Sequence, residues 1–321
     1  MKRFIAAVAL SMGFAAGALA QGFPDKTVTI IVPYPPGGGV DIMVRAVAAE
    51  LTQKWGKPVI IDNKAGAGTL IGADAVQRAK PDGYTLLATV DQTIVANRYL
   101  FKKLPYDPDK SFIPITMMAE SPQFLIAKSE LPAKDLKELV ALAKREKGTL
   151  TYGSYGEGSW PVLVYSTLNE KRGTDLQHIP YKGVAPMLTA IVSGEVDVAT
   201  GSASVAGEML KAKRMKALAI AANKRAPQFP DVPTTSEQGF PELQATVWYG
   251  LFAPAETPPP VVNKIQADVA AILKTPEFTE KQGTARGLSI VASSSEEFAK
   301  RIADDVKATQ EMVRAAKIVP Q

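Results

Sequence analysis

The sequence predicts an α/β protein of two lobes facing each other across a cleft. Three observations carry that expectation. Short β-branched apolar runs alternate with stretches whose apolar residues recur at helical spacing, the pattern of strands beside crossover helices. Glycine- or hydroxyl-rich turns stand at the C-terminal ends of successive strands, where open α/β sheets gather their ligands. The alternation breaks near Ser121-Pro122 and again near Asn223-Lys224-Arg225, as in a chain that enters a second lobe and returns. One domain is therefore drawn as 24–122 plus 223–321 and the other as 123–222.

The organising stretch is 27–51, TVTIIVPYPPGGGVDIMVRAVAAEL. Val28, Ile30, Ile31 and Val32 predict a strand buried on both faces. Pro33, Pro35 and Pro36 end it, because proline cannot extend a ladder. Gly37, Gly38 and Gly39 form a turn, Asp41 suits the first turn of a helix, and Val40, Val44, Val47, Leu51 and Trp55 make its buried stripe. Such a junction presents bare N–H groups at a helix start, a ready anion site. The alternative, glycines that only let helix pack on strand, stays open. A nucleotide P-loop is excluded, since Val40-Asp41 stand where Lys and Ser/Thr are required.

The run at 59–62 is a second strand, and Gly66-Ala67-Gly68-Thr69 a second turn. It lacks the dinucleotide fingerprint, because Ile71 occupies the third glycine position. A helix over 71–79 stops at Lys80-Pro81-Asp82-Gly83. The strand at 84–90 ends in the polar turn Asp91-Gln92-Thr93, where Asp91 is either the N-cap of a helix over 93–100 or a ligand contact. The stretch 112–119, with Pro114 inside, reads as an edge strand or extended crossover. After a new apolar run at 123–127, a helix over 136–143 carries Lys134, Lys137, Lys144, Arg145 and Lys147 on a solvated face.

A third glycine-rich turn follows at 149–161, with Pro161 at the first helical position. Ser154 and Ser159 are hydroxyl donors to a ligand or simple caps, and Trp160 is a packing residue or a ligand platform. His178, the only histidine, lies in a strand at 176–180 and reads as structural. Tyr181-Lys182-Gly183 precedes a helix running to Val192, and the strand at 195–200 exits through Ser202 and Ser204. The strand at 215–221 leads to a loop over 227–241 with four prolines. The strand at 246–253 returns to the first domain, followed by a proline linker and a helix striped by Val262, Ile265, Val269 and Ile272. A capping box, Ser294 to Glu297, opens the last helix, whose stripe is Phe298, Ile302, Val306, Thr309 and Val313.

Composition narrows the function classes. A net charge of +5 includes Lys2 and Arg3 of a segment expected to be removed; the remaining excess of +3 is too slight to argue for nucleic acid, and no Arg/Lys-rich block with interleaved aromatics appears. The chain has no cysteine, so no disulfide, thiolate chemistry or cysteine metal site is expected. Lys2-Arg3, an uncharged stretch over 4–19 and Ala18-Leu19-Ala20 read as a secretory signal cleaved after Ala20. The apolar run is short for a membrane span, and no later stretch reaches the roughly 20 residues needed. At 321 residues the chain can bury a sizeable core without disulfides.

Several segments together resemble the extracytoplasmic solute receptors of the tripartite tricarboxylate transporter system, the Bug family. They are VPYPPGGGVDIMVRAVA, VIIDNKAGAGTLIGA, KPDGYTLLAT, KLPYDPDKSFIPIT, HIPYKGVAPML, SGEVDV and KRAPQFPDVPTTSEQGFPE. The resemblance implies a two-domain periplasmic binding protein fold, type II-like, with the ligand cleft between the lobes. It implies a small carboxylate ligand held largely by main-chain N–H groups and ordered water. It carries ligand roles to Pro36, Gly38, Gly39, Gly68, Thr69, Ser154, Gly158 and Ser159, and Tyr34, Asp91, Gln92, Trp160, Tyr181 and Ser202 stand beside them as further candidate ligand contacts. Tyr181, Lys182 and Gly183 match the second-domain signature and would shape the cleft wall, while Trp160-Pro161-Val162 departs from the small polar run usual there. The partners implied are the carboxylate and membrane permease subunits; a periplasmic monomer without cofactor or metal is expected. Two other functions fit the same shape. One is a sensor acting on a membrane signalling protein. The other is a hydrolase built on Ser159 and Lys182, disfavoured by the absence of Cys, the single His and the lack of a metal-ligand set.

Overall fold

Apolar alternation along the first strand sets up the whole first lobe. In β1, Val28–Val32, Ile30 faces one hydrophobic cluster and Ile31 another, so helices must cover both faces. The computed structural model describes residues 22–156, 158–222, 224–226 and 228–320. The expected signal segment and its cleavage point lie outside these residues.

The first lobe runs β1, α1 (Gly39–Trp55), β2 (Val59–Asn63), α2 (Leu70–Gln77) and β3 (Thr85–Val90). A π-helical turn, Gln92–Ala96, then leads into a short helix, Asn97–Leu100. Next comes β4 (Phe112–Lys128). The second lobe contains α3 (Leu136–Arg145), β5 (Thr151–Ser154), α4 (Trp160–Arg172), β6 (Gln177–Pro180) and α5 (Val184–Ser193). It continues through β7 (Val198–Ser202), α6 (Ala203–Lys211) and β8 (Met215–Ile220). The chain returns in β9 (Thr246–Pro254), α7 (Pro259–Leu273), β10 (Ser289–Ile290) and α8 (Ser295–Ala315).

The strand order is β2-β1-β3-β9-β4-β7-β5-β6, with β8 and β10 also paired to β4. β1, β2 and β3 pair in parallel, as do β5, β6 and β7, whereas every pairing to β4 is antiparallel. β4 corrects the expected edge strand at 112–119. It is a central strand of 17 residues that serves both lobes. From Phe112 to Pro122 it pairs with β9, and from Gln123 onward with β7 and β8. Pro114 is tolerated because the register with β9 shifts between Pro114 and Thr116, the kind of irregularity where a missing donor costs little.

The crossing points are bonded to one another. The Gln123 N–H donates to the Ala245 carbonyl, and the Ala221 N–H to the Gln123 carbonyl, each at 2.8 Å. After the crossing drawn at 223, Phe240, Leu243 and Ala245 pack with Leu218, Ala219 and Ala221 in one hydrophobic cluster. The 203–211 helix, α6, is unforeseen. The basic residues flanking and within α3 are exposed, as a solvated face requires.

α8 begins with both halves of its capping box formed. Its Phe298 is fully buried, edge-on to Trp248 at 4.9 Å and 5.1 Å from Phe252. Its far end reaches the other lobe, where Met312 joins the cluster around Leu163 and Leu168. Phe298→Ala should therefore destabilise the protein by about 3–5 kcal/mol; urea unfolding checks this, and a loss below about 1 kcal/mol would contradict the packing role.

Candidate functional site

The first turn is organised from beneath by a buried acid. Asp41 accepts from the Gly37 N–H at 2.9 Å, Arg45 Nε at 2.9 Å and Asn63 Nδ2 at 2.8 Å. Asn63 Nδ2 also donates to the Tyr34 carbonyl at 3.1 Å. Burial alone would push the Asp41 carboxyl up, but these donors outweigh it and hold the group below its ordinary value. Gly38 is the N-cap of α1 and offers no side chain. A Cβ at Gly39 would collide with the Tyr249 hydroxyl, so the glycine permits this close approach. The free donors of this turn are the main-chain N–H groups of Gly38 and Gly39, unbonded among the described residues.

The second turn is held by residues that sequence reading missed. Asn97 Nδ2 donates to the Gly68 carbonyl at 2.8 Å and to Thr69 Oγ1 at 3.0 Å. Thr93 Oγ1 donates to the same Thr69 oxygen at 3.0 Å, and the Thr69 N–H closes on the Gly66 carbonyl. Thr69 sits at φ +80°, a costly conformation for a β-branched residue that this network maintains. Nearby, the Tyr34 hydroxyl is buried beside the Thr89 and Thr93 hydroxyls, which lie 2.5 Å from each other. Burial pushes the Tyr34 phenol well above its ordinary value.

The lobes meet around a cavity of about 280 Å³. Asp91, Gln92 and Leu100 approach from one side, and Tyr155, Ser159 and Trp160 from the other. Gly158 of the third turn lies against Leu100, at φ +71° and with no space for a Cβ. Ser159 is the N-cap of α4 but its hydroxyl makes no capping bond and is buried without a partner. Asp91 is 7% exposed and its Oδ1 has no partner. Burial, reinforced by Asp305, pushes this carboxyl up to about 8 against the opposing influence of its own backbone N–H and Arg301. Asp91 stands at the N-cap position of the following turn, but its backbone is already right-handed helical and its side chain makes no capping bond.

A neighbouring interlobe cavity of about 430 Å³ is lined by Gly37, Gly38 and Gly39 opposite Ala203, Ser204 and Phe229. Tyr249 borders it while lying within electrostatic reach of Asp91; burial and that charge raise its phenol to about 12. A more open depression of about 540 Å³, bordered by Lys211, Lys213 and Lys216, carries none of the predicted residues.

Thus Asp91, Gln92, Gly158, Ser159 and Trp160 come together, Gly38 and Gly39 line the adjoining cavity, and Tyr34, Gly68 and Thr69 belong to the turns of the first lobe. Pro36 is exposed on the first turn. Ser154 is fully buried and bonded to His178 Nε2 at 2.6 Å, while His178 stacks on Tyr152. The Tyr181 hydroxyl donates to Glu195 at 2.7 Å, and burial followed by that carboxylate raises it to about 12. Ser202 Oγ lies 2.8 Å from Ser204 Oγ, Lys182 is exposed, and Gly183 caps α5. Tyr155, Val247 and Thr309 are cavity residues that the sequence did not assign to the site; Tyr155 stood inside a recognised turn and Thr309 in the stripe of the last helix. Among the described residues, no cluster of His, Cys, Asp or Glu could hold a metal, and no helix is long and apolar enough to cross a membrane.

The signature of the tripartite tricarboxylate transporter family receptor matches residues 43–318. The chain belongs to this receptor family. BugT of Bordetella pertussis is 30% identical over 318 residues, covering 98% of this chain and 97% of BugT. The periplasmic binding protein BugD is 30% identical with a TM-score of 0.76, covering 93% of this chain and 100% of BugD. MatC of Rhodopseudomonas palustris, solved with bound malate, is 34% identical with a TM-score of 0.75, covering 91% of this chain and 100% of MatC. An R. palustris protein solved with adipate is 28% identical with a TM-score of 0.80, covering 93% of this chain and 100% of that one. Family membership makes this receptor a periplasmic solute-binding protein of two α/β domains, not an enzyme.

The raised Asp91 carboxyl fixes a sign for stability against pH. The folded chain holds this proton more tightly than the unfolded one, so stability falls as pH rises from the ordinary carboxylate range to about 8. Asp91→Asn should raise the melting temperature by a few degrees at pH 8.5, with a gain that shrinks toward pH 4; calorimetric scans showing a gain independent of pH would contradict this reading of the site.

Proposed function

We propose that this receptor captures a small organic carboxylate between its lobes in the periplasm and presents it to the membrane permease subunits of a tripartite tricarboxylate transporter. The observation that carries the reading is the interlobe geometry. Glycine turns at two helix starts, before α1 and before α4, open onto adjoining cavities between the lobes. Relatives of the same fold are solved with malate and with adipate, which supports the ligand class. The ligand-binding roles of the turn residues are part of this proposal, as is the division into 24–122 plus 223–321, and 123–222. So are export by the N-terminal signal, cleavage after Ala20 and a monomeric receptor.

The energies favour two-sided capture. Micromolar affinity requires about 8 kcal/mol. A charge-assisted hydrogen bond contributes about 1.5–3 kcal/mol, a helix start about 0.3–1 kcal/mol, and association costs on the order of 4–15 kcal/mol. A single turn cannot meet that demand, whereas donors from both lobes can. Titration calorimetry of the mature protein with a panel of mono- and dicarboxylates should find at least one micromolar binder. Failure of all of them, with a sugar or an organic base binding instead, would overturn the ligand class. Deleting the gene should abolish uptake of the bound acid; unchanged uptake with altered gene expression would mark a sensor instead.

A further inference from the structure

Asp91 is the group that a site for simple anions does not explain. It is 7% exposed, lines the 280 Å³ cavity and leaves Oδ1 without a partner. A buried carboxyl oxygen without a donor is costly, so its retention in the wall of a ligand cavity calls for a complement. The carboxyl's own backbone N–H acts on it, but Oδ1 is left without a partner. Arg301, the cation within electrostatic reach, already bonds Asp305 at 2.9 Å and Glu120 at 2.9 Å. Facing Asp91 from the remaining elements are the phenols of Tyr34, Tyr155 and Tyr249, none of which is cationic. Arg301 is thus outnumbered by the surrounding acids, and the rings of Tyr155 and Trp160 line the same cavity. Aromatic faces beside a desolvated carboxylate are a favourable setting for an organic cation.

Resting on the carboxylate reading above, we propose that the ligand also carries a protonated amine, and that Asp91 is the specificity-determining residue that pairs with it in the interlobe cavity. The carboxylate of such a zwitterion meets main-chain N–H groups of the helix starts, and its ammonium meets Asp91. Amine-free dicarboxylates of equal length lack the second contact and leave Asp91 unpartnered. The carboxyl is protonated in the empty site below about pH 8, so an incoming ammonium expels that proton. A carboxylate placed against Asp91 would act oppositely and retain or draw in a proton.

Calorimetry with matched pairs tests this: succinate against aspartate, glutarate against glutamate, and propionate against β-alanine. At least one aminated acid should bind tenfold or more tightly than its amine-free partner, and Asp91→Asn should erase that preference. At pH 7, titrations in buffers of different ionisation enthalpy should show proton release with the wild-type protein and none with the variant. A melting temperature at or above the wild-type value confirms that the variant is folded, and the wild-type proton count stands without it. Equal or tighter binding of the amine-free acids, a preference that survives Asp91→Asn, or proton uptake would overturn the inference while leaving carboxylate capture intact. Binding by neither member of any pair, nor by other carboxylates, would overturn the capture reading itself.

Discussion

The structure depends on one strand belonging to both lobes. β4 runs unbroken from Phe112 to Lys128, paired with β9 over its first part and with β7 and β8 over its second. Its buried residues divide between the hydrophobic clusters of the two lobes, Ile115 and Met118 in one, Leu125 and Ala127 in another. The lobes are therefore joined by the backbone hydrogen bonds of one strand whose side chains enter both cores. Relative motion must be accommodated where β4 and the crossing segments around Ala221 and Ala245 bond one another.

From that frame follows the character of the site. The turns that approach the cleft are supported by side chains that line neither interlobe cavity: Asp41 and Asn63 at the first, Asn97 and Thr93 at the second. This leaves main-chain donors as the exposed chemistry of the first turn. Main-chain donors favour negative charge without naming the molecule that bears it. Discrimination must come from side chains in the cavity wall, and among them Asp91, Tyr155 and Trp160 are the chemically distinctive ones.

Local chemistry was legible in the sequence, and non-local pairing was not. β1 to α1 could be read because Val28, Ile30 and Ile31 are β-branched and Val40, Val44, Val47 and Leu51 fall on one helical face. The Ser294 capping box could be read for the same reason. β4 could not, because Pro114 and Pro122 look like breaks until a partner strand with a shifted register absorbs the first. Within the site, the glycine turns were visible by composition. The state of Asp91 was not, since its burial and charge environment are set by α8, some two hundred residues along the chain. Asn63 and Asn97 were equally silent: an asparagine bonding a distant backbone carries no spacing signal.

A crystal structure of the receptor purified from the periplasm and co-crystallised with the tightest carboxylate from the calorimetric panel tests the two-sided site most directly. Ligand density should lie between Asp91-Gln92 and Gly158-Ser159-Trp160, with carboxylate oxygens at hydrogen-bond distance from main-chain N–H groups of both lobes. Density confined to one lobe, or lying in the lysine-bordered depression around Lys213, would contradict it.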